Sequence, residues 1–121
     1  MIVAAGILVA AVAALHIYFL VLEMFLWTTP KGLKTFNMTQ QKADDSAVLA
    51  ANQGLYNGFL AAGLIWGLLH PVDAIGRQID IFFLLCVIVA GLYGGYSVSK
   101  RILTVQAAPA AVALVLLLVA K

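Results

Sequence analysis

The sequence predicts an all-α integral membrane protein, a bundle of four transmembrane helices forming a single domain over residues 1–121. Three observations predict it. Hydrophobic residues make up 64% of the 121 and charged residues only 10%, with a mean hydropathy of +1.07, whereas soluble domains carry about 25% charged residues. The apolar residues fall into four runs, roughly 2–27, 47–70, 76–99 and 102–120, each near the ~20 residues that a helix needs to cross ~30 Å of hydrocarbon. None of the runs alternates apolar and polar positions as the strands of a transmembrane barrel do.

The first span opens Ala-rich and ends bulky, in IYFLVLEMFLW, with Trp27 at headgroup depth and Pro30 beyond its end. No positive charge precedes it and its apolar run is long, so it reads as a retained span rather than a cleavable signal peptide. The segment TPKGLKTFNMTQQKADDS follows, and its Phe36 and Met38 suit a short helix in the interface. Asp44, Asp45 and Ser46 are the expected N-cap of the second span. That span ends near His70, and Pro71 makes the turn. The third finishes in GLYGGYSVSK, where Gly91, Gly94 and Gly95 permit close backbone approach. A tight turn leads into the fourth, which Pro109 is expected to kink.

Charge fixes the expected orientation. Lys31, Lys34, Lys42, Lys100 and Arg101 lie on one side of the four spans, and Arg77 and Lys121 on the other. Under the positive-inside rule the 28–46 loop is cytoplasmic and both termini are outside. This charge pattern is a topological signal and calls for no nucleic-acid partner. The single Cys86 lies mid-span, which excludes an intrachain disulfide and suits a small buried hydrophobe.

The stretch NQGLYNGFLAAG places Asn52, Gln53, Tyr56 and Asn57 inside the second span. In the expected topology these residues share the cytoplasmic half with Glu23, Tyr93, Tyr96 and Gln106. At about 100° per residue, His16, Glu23 and Trp27 fall within about 20° of one another on the first helix, while Asn52, Tyr56, Gly63 and His70 share a stripe on the second. A carboxylate facing hydrocarbon costs on the order of 3 kcal/mol even on the lenient insertion scale, so Glu23 is expected to face inward, towards the amides. The expected result is a buried polar pocket. Asn, Gln and Tyr inside bundles also serve as plain interhelical hydrogen-bonding groups, and His16 equally suits a packed core position. No metal-ligand spacing appears, and no cofactor is implied.

His16, Glu23, Trp27, Pro30 and Phe36, followed by NQGLYNGFLAAG, resemble a family of small bacterial membrane proteins catalogued as domain of unknown function 1304. The resemblance covers nearly the whole chain. It implies a four-helix membrane fold of about this length, placed in the bacterial inner membrane, and supplies no reaction.

The functional expectation therefore rests on the pocket: a site for a small molecule or lipid, open to catalysis. Glu23 is the candidate proton acceptor or cation partner, with His16 as second candidate. Asn52, Gln53, Asn57 and Gln106 would orient a polar group, and Trp27, Tyr56, Tyr93 and Tyr96 would line the site. The alternatives are an oligomeric transporter or proton-coupled channel, and an accessory subunit of a membrane complex. Ala- and Gly-rich faces favour a homo-oligomer.

Overall fold

The structure, a computed structural model, describes residues 3–119; Lys121 and the placement of the two termini lie outside the described residues. Six α-helices and one π-helical turn follow one another: α1 Val3–Met24, α2 Pro30–Phe36, α3 Gln40–Leu69, α4 Asp73–Ser97, α5 Lys100–Ile102, the π turn Leu103–Ala107, and α6 Ala108–Val119.

Three helical stretches are long and apolar enough to cross a membrane: Val3–Met24, Asp73–Ser97 and Lys100–Val119. At about 1.5 Å per residue the shortest, with its 20 residues, covers ~30 Å. These stretches mark the chain as a membrane protein. The 30-residue α3 is long enough too, but QQKADDS at its start and Asn52, Gln53, Tyr56 and Asn57 in its middle leave it no unbroken apolar run longer than the twelve residues 58–69.

Local chemistry sets the element boundaries. The first helix stops at Met24, earlier than expected, and the Phe25 and Leu26 amides both bond back to the Val21 carbonyl. The cause is the next helix. Pro30 holds the residue before it in extended conformation, and Thr29 takes that conformation as N-cap of α2. The Thr29 hydroxyl accepts from Gly32 N and donates to the Leu26 carbonyl at 2.6 Å, which tethers the chain reversal. Asn37, in the left-handed region at φ 52°, ends α2. Trp27 therefore sits in a turn, off the helical face of His16 and Glu23 on which the sequence places it.

The cap of α3 also differs from expectation. Thr39 accepts from Lys42 N at 3.2 Å and starts the helix at Gln40. Asp44 and Asp45 instead lie inside it, accepting from Gln40 and Gln41 at 2.9 and 2.8 Å. Such i,i+4 amide–carboxylate pairs support the extra turn. The α3–α4 turn is closed by Val72 N donating to His70 Nδ1 at 3.0 Å. Ser99 caps α5 after a tight turn. The expected effect of Pro109 appears as the π turn just before it: the Ala108 amide reaches back five residues to the Leu103 carbonyl. The wider turn makes room for a residue that lacks an N–H and whose ring crowds the preceding turn.

The helices divide between two compact units, Leu15–Phe59 and the remainder up to Ala14 and from Leu60 onward. In the Leu15–Phe59 unit, Gly54 and Gly58 let α3 approach Leu20 and Met24 of α1. The Trp27 and Phe36 rings pack at 4.7 Å, and Trp27 Nε1 donates to Ser46 Oγ at 3.1 Å. The other unit has a core of Val9, Val12, Leu64, Leu84, Val87 and Leu117, among others. There Gly91 lies against the Ala107 backbone, and Arg77 Nε donates to the Leu117 carbonyl at 3.1 Å near the end of α6, where a cation complements the helix dipole.

These approaches give a contrast between two glycines. A Cβ on Gly32 would meet the Leu26 carbonyl oxygen at 2.1 Å and that of Trp27 at 2.5 Å, both fixed backbone atoms. On Gly58 it would meet only Leu20 Cδ1, at 2.7 Å, the end of a flexible side chain. Gly32→Ala should therefore destabilise the fold by about 1–3 kcal/mol. Gly58→Ala should be close to neutral, because the gain in helix propensity of up to ~1 kcal/mol offsets the crowding. Reversible unfolding in mixed detergent micelles measures both.

Candidate functional site

The site is built on one carboxylate. Glu23 is 4% exposed, one residue before the end of α1, in a helix otherwise made of apolar residues, Gly and His16. Asn57 of α3, also buried, donates its amide Nδ2–H to Glu23 Oε1 at 2.5 Å. Gln53, one turn before Asn57 and exposed, is close enough for its amide to influence the same carboxylate. Gly54 explains why these groups meet. A Cβ there would lie 2.7 Å from Met24 Cγ and 3.0 Å from Glu23 Cβ. Only glycine lets the two helices come this close, and it sets Asn57, three residues on, within reach of the carboxylate.

The expected inward stripe of α3 is corrected by the structure. The buried positions are Ala43, Ala50, Gly54, Asn57, Ala61, Gly63, Leu64 and Gly67, so of the expected stripe Gly63 is buried while Asn52 and Tyr56, with Gln53 beside them, turn outward. Small residues decide which face of a helix can approach its neighbour, and in α3 they outweigh polarity. Asn52 and Tyr56 bond each other, Nδ2 to Oη at 3.3 Å, and the Tyr56 ring packs on Phe59 at 5.9 Å.

His16 is fully buried two turns before Glu23, its ring edge-on to Phe19 at 5.5 Å. Trp27 is engaged by Ser46 and Phe36 as described above. The structure thus gathers Glu23, Gln53 and Asn57, with His16, Trp27, Asn52 and Tyr56 elsewhere in the same unit. Tyr93 and Tyr96 of α4 are strongly exposed, and Gln106 lies in the π turn; these three belong to the other unit. Two apolar hollows lie in that unit as well. One is lined by Phe82, Leu85, Cys86, Val89, Ala90 and Tyr93 of α4, and the other adjoins Trp66 and Phe83. Both are lined mainly by apolar side chains, with Gln78 in the second.

Sequence reasoning missed one residue. Asp80 of α4 has no exposed surface, and neither carboxylate oxygen has a hydrogen-bond partner. The signal was present in the string IDIFFLLC, a carboxylate inside an apolar span, the same signal that singles out Glu23.

Chemically, the Glu23 group is a carboxylate in low-polarity surroundings, oriented by an amide and with acceptor capacity left over, since a carboxylate offers about four lone-pair sites. It can take a proton or pair with a cation. Asn57→Ala should cost about 1–3 kcal/mol, the penalty for leaving a buried acceptor unpaired. The Glu23→Leu, Asn57→Leu double variant should recover most of that loss, since removing both partners of a buried polar pair is often nearly neutral. A double-mutant cycle of unfolding free energies in micelles checks both expectations.

Comparison with known proteins agrees with the sequence reading. The chain is 32% identical over 113 residues to "Uncharacterized protein YpaA" of Lactococcus lactis subsp. lactis (strain IL1403), covering 90% of this chain and 92% of that protein. No solved structure matches it. The family model described as "Protein of unknown function (DUF1304)" matches residues 2–118, and the chain belongs to that family.

Proposed function

We propose that this protein is a four-span bundle of the bacterial inner membrane whose Glu23–Asn57–Gln53 group binds the polar or cationic head of a small molecule or lipid. The observation that carries the reading is the buried Glu23 carboxylate, held by Asn57. At the centre of a membrane helix a carboxylate costs on the order of 3 kcal/mol; Glu23, near the end of α1, bears part of that cost, and one amide bond between membrane helices returns only ~0.6 kcal/mol on average. Packing alone does not repay that cost. A ligand donating an ammonium or hydroxyl group would add a charge-assisted bond, the stronger kind.

The topology proposed with it places the 28–46 loop in the cytoplasm and sends α3 across the membrane as the second span. The five Lys and Arg residues of the 28–46 and 99–102 connections support the orientation. The Glu23–Asn57 bond supports the crossing of α3, because it turns the helix's deepest amide away from lipid. The glycine argument for self-association weakens here, since Gly54, Gly58, Gly63, Gly67, Gly91, Gly94 and Gly95 all make close contacts within the chain.

Two measurements test the reading. In a Cys86→Ala background, Lys34→Cys and Arg77→Cys should respond differently to an impermeant thiol reagent in intact cells, with only the second labelled; labelling confined to the first inverts the topology. For the site, native mass spectrometry of the protein released from lipid nanodiscs should show a retained amphiphile. Glu23→Gln keeps shape and hydrogen bonding while removing the charge, and should lose that ligand at least tenfold. A Gln variant that retains it as well as the parent does would make the group purely structural.

A further inference from the structure

Asp80 stands apart from the site just described. It lies two turns into α4, fully buried, and both Oδ1 and Oδ2 lack any hydrogen-bond partner. The space it occupies exists because residue 67 is glycine: a Cβ there would fall 2.1 Å from Asp80 Oδ1 and 2.9 Å from the Gly76 carbonyl oxygen. Gly76 in turn lies against the Gly67 carbonyl oxygen, which a Cβ on residue 76 would meet at 2.3 Å. The carboxylate is thus set into a close glycine contact that also holds the Gly67 and Gly76 carbonyl oxygens. Every one of them is an acceptor, as the carboxylate is.

Among the described residues, no side chain forms a hydrogen bond to the Asp80 carboxylate. On α4 itself the charged neighbours are Asp73 and Arg77, and Arg77 directs its Nε to the Leu117 carbonyl at 3.1 Å. On α3 the titratable neighbour is His70, whose Nδ1 accepts from Val72 N at 3.0 Å. Neither α6 nor the 3–14 part of α1, the other long stretches in this unit, carries a titratable side chain. An ionised carboxylate in such surroundings carries a desolvation penalty that only neutralisation or pairing removes.

We propose that Asp80 is a binding site for a small monovalent cation, a proton or an alkali ion, held between its carboxylate and the neighbouring backbone carbonyls. One carboxylate and neutral carbonyl oxygens balance a single positive charge. A divalent ion would require a second acid, and among the described residues no group of three His, Cys, Asp or Glu side chains is gathered. Binding a proton turns one carboxylate oxygen into an O–H donor facing acceptors. Binding an alkali ion gives those same oxygens a shared partner. Either occupant resolves a cluster made only of acceptors.

The test uses the full chain in phosphatidylethanolamine–phosphatidylglycerol nanodiscs and dicyclohexylcarbodiimide. A protonated carboxylic acid adds across one C=N bond of this reagent and rearranges to a stable N-acylurea with no leaving group. In sodium-free choline buffer the peptide containing Asp80 should carry the adduct, several-fold more at acidic than at alkaline pH, and D80N should carry none there. Protection by sodium chloride assigns the site to an alkali ion; absence of protection assigns it to the proton. Because a buried group can escape a bulky reagent, infrared difference spectra of the parent against D80N provide the second measurement. They should show either the C=O stretch of a protonated acid or a carboxylate band that sodium shifts. An Asp80 that forms no adduct and shows an ionised carboxylate band unaffected by pH or sodium overturns the proposal.

Discussion

The constraint on which the structure depends is that a polar group within apolar, membrane-length helices must find its partner inside the protein. Water is absent there, and lipid offers neither donors nor acceptors. Two carboxylates in this chain meet the constraint in opposite ways. Glu23 is answered by an amide from a neighbouring helix. Asp80 is enclosed with no hydrogen-bond partner at all. The first arrangement fixes an orientation, while the second leaves an acceptor site that only a cation completes.

Both arrangements are created by glycines of a single helix. Gly54 and Gly58 bring α3 onto α1, and Gly63 and Gly67 bring it onto Phe83 and Asp80 of α4. Between membrane helices hydrophobicity gives no preference for protein over lipid, so close backbone approach and the dispersion energy it releases must do the work of association. That explains why α3 tolerates four polar residues in six positions. Its cohesion does not come from an apolar stripe, and its amides are free to serve the carboxylate.

Much of this was legible in the chain and some was not. The helical class, three of the four expected membrane-length helices and the short helix around Phe36 follow from composition and hydropathy, and the kink expected at Pro109 takes the form of a π turn. The partnership of Glu23 with an α3 amide was legible too, because the cost of an unpaired carboxylate requires one. Which amide it would be was not legible. The sequence places Asn52 and Asn57 close together on the helix, and only the packing of Gly54 against Met24 and Glu23 selects Asn57. The early end of α1 was hidden for a similar reason. FLW continues the apolar run, but Thr29 and Pro30 impose the chain reversal and carry Trp27 out of the helix. Asp80 was readable from its apolar neighbours within the 76–99 run.

The polar residues left on the outer face of α3 complete the physical picture. Asn52 and Tyr56 satisfy part of each other's hydrogen bonding within one turn, and Gln53 turns outward, its amide close enough to influence Glu23. Three such groups facing acyl chains would carry a desolvation cost that one intrahelical bond does not cover. Their natural depth is the headgroup region, where water and lipid polar groups supply the remaining bonds. In the proposed topology this is where α3 emerges from its charged first turns. Glu23, buried and bonded to Asn57, then sits at the inner edge of that region. A carboxylate so placed meets an amphiphile's polar head at the boundary while its tail remains in hydrocarbon. Under the proposed function, that depth suits a lipid-like ligand better than a freely soluble one.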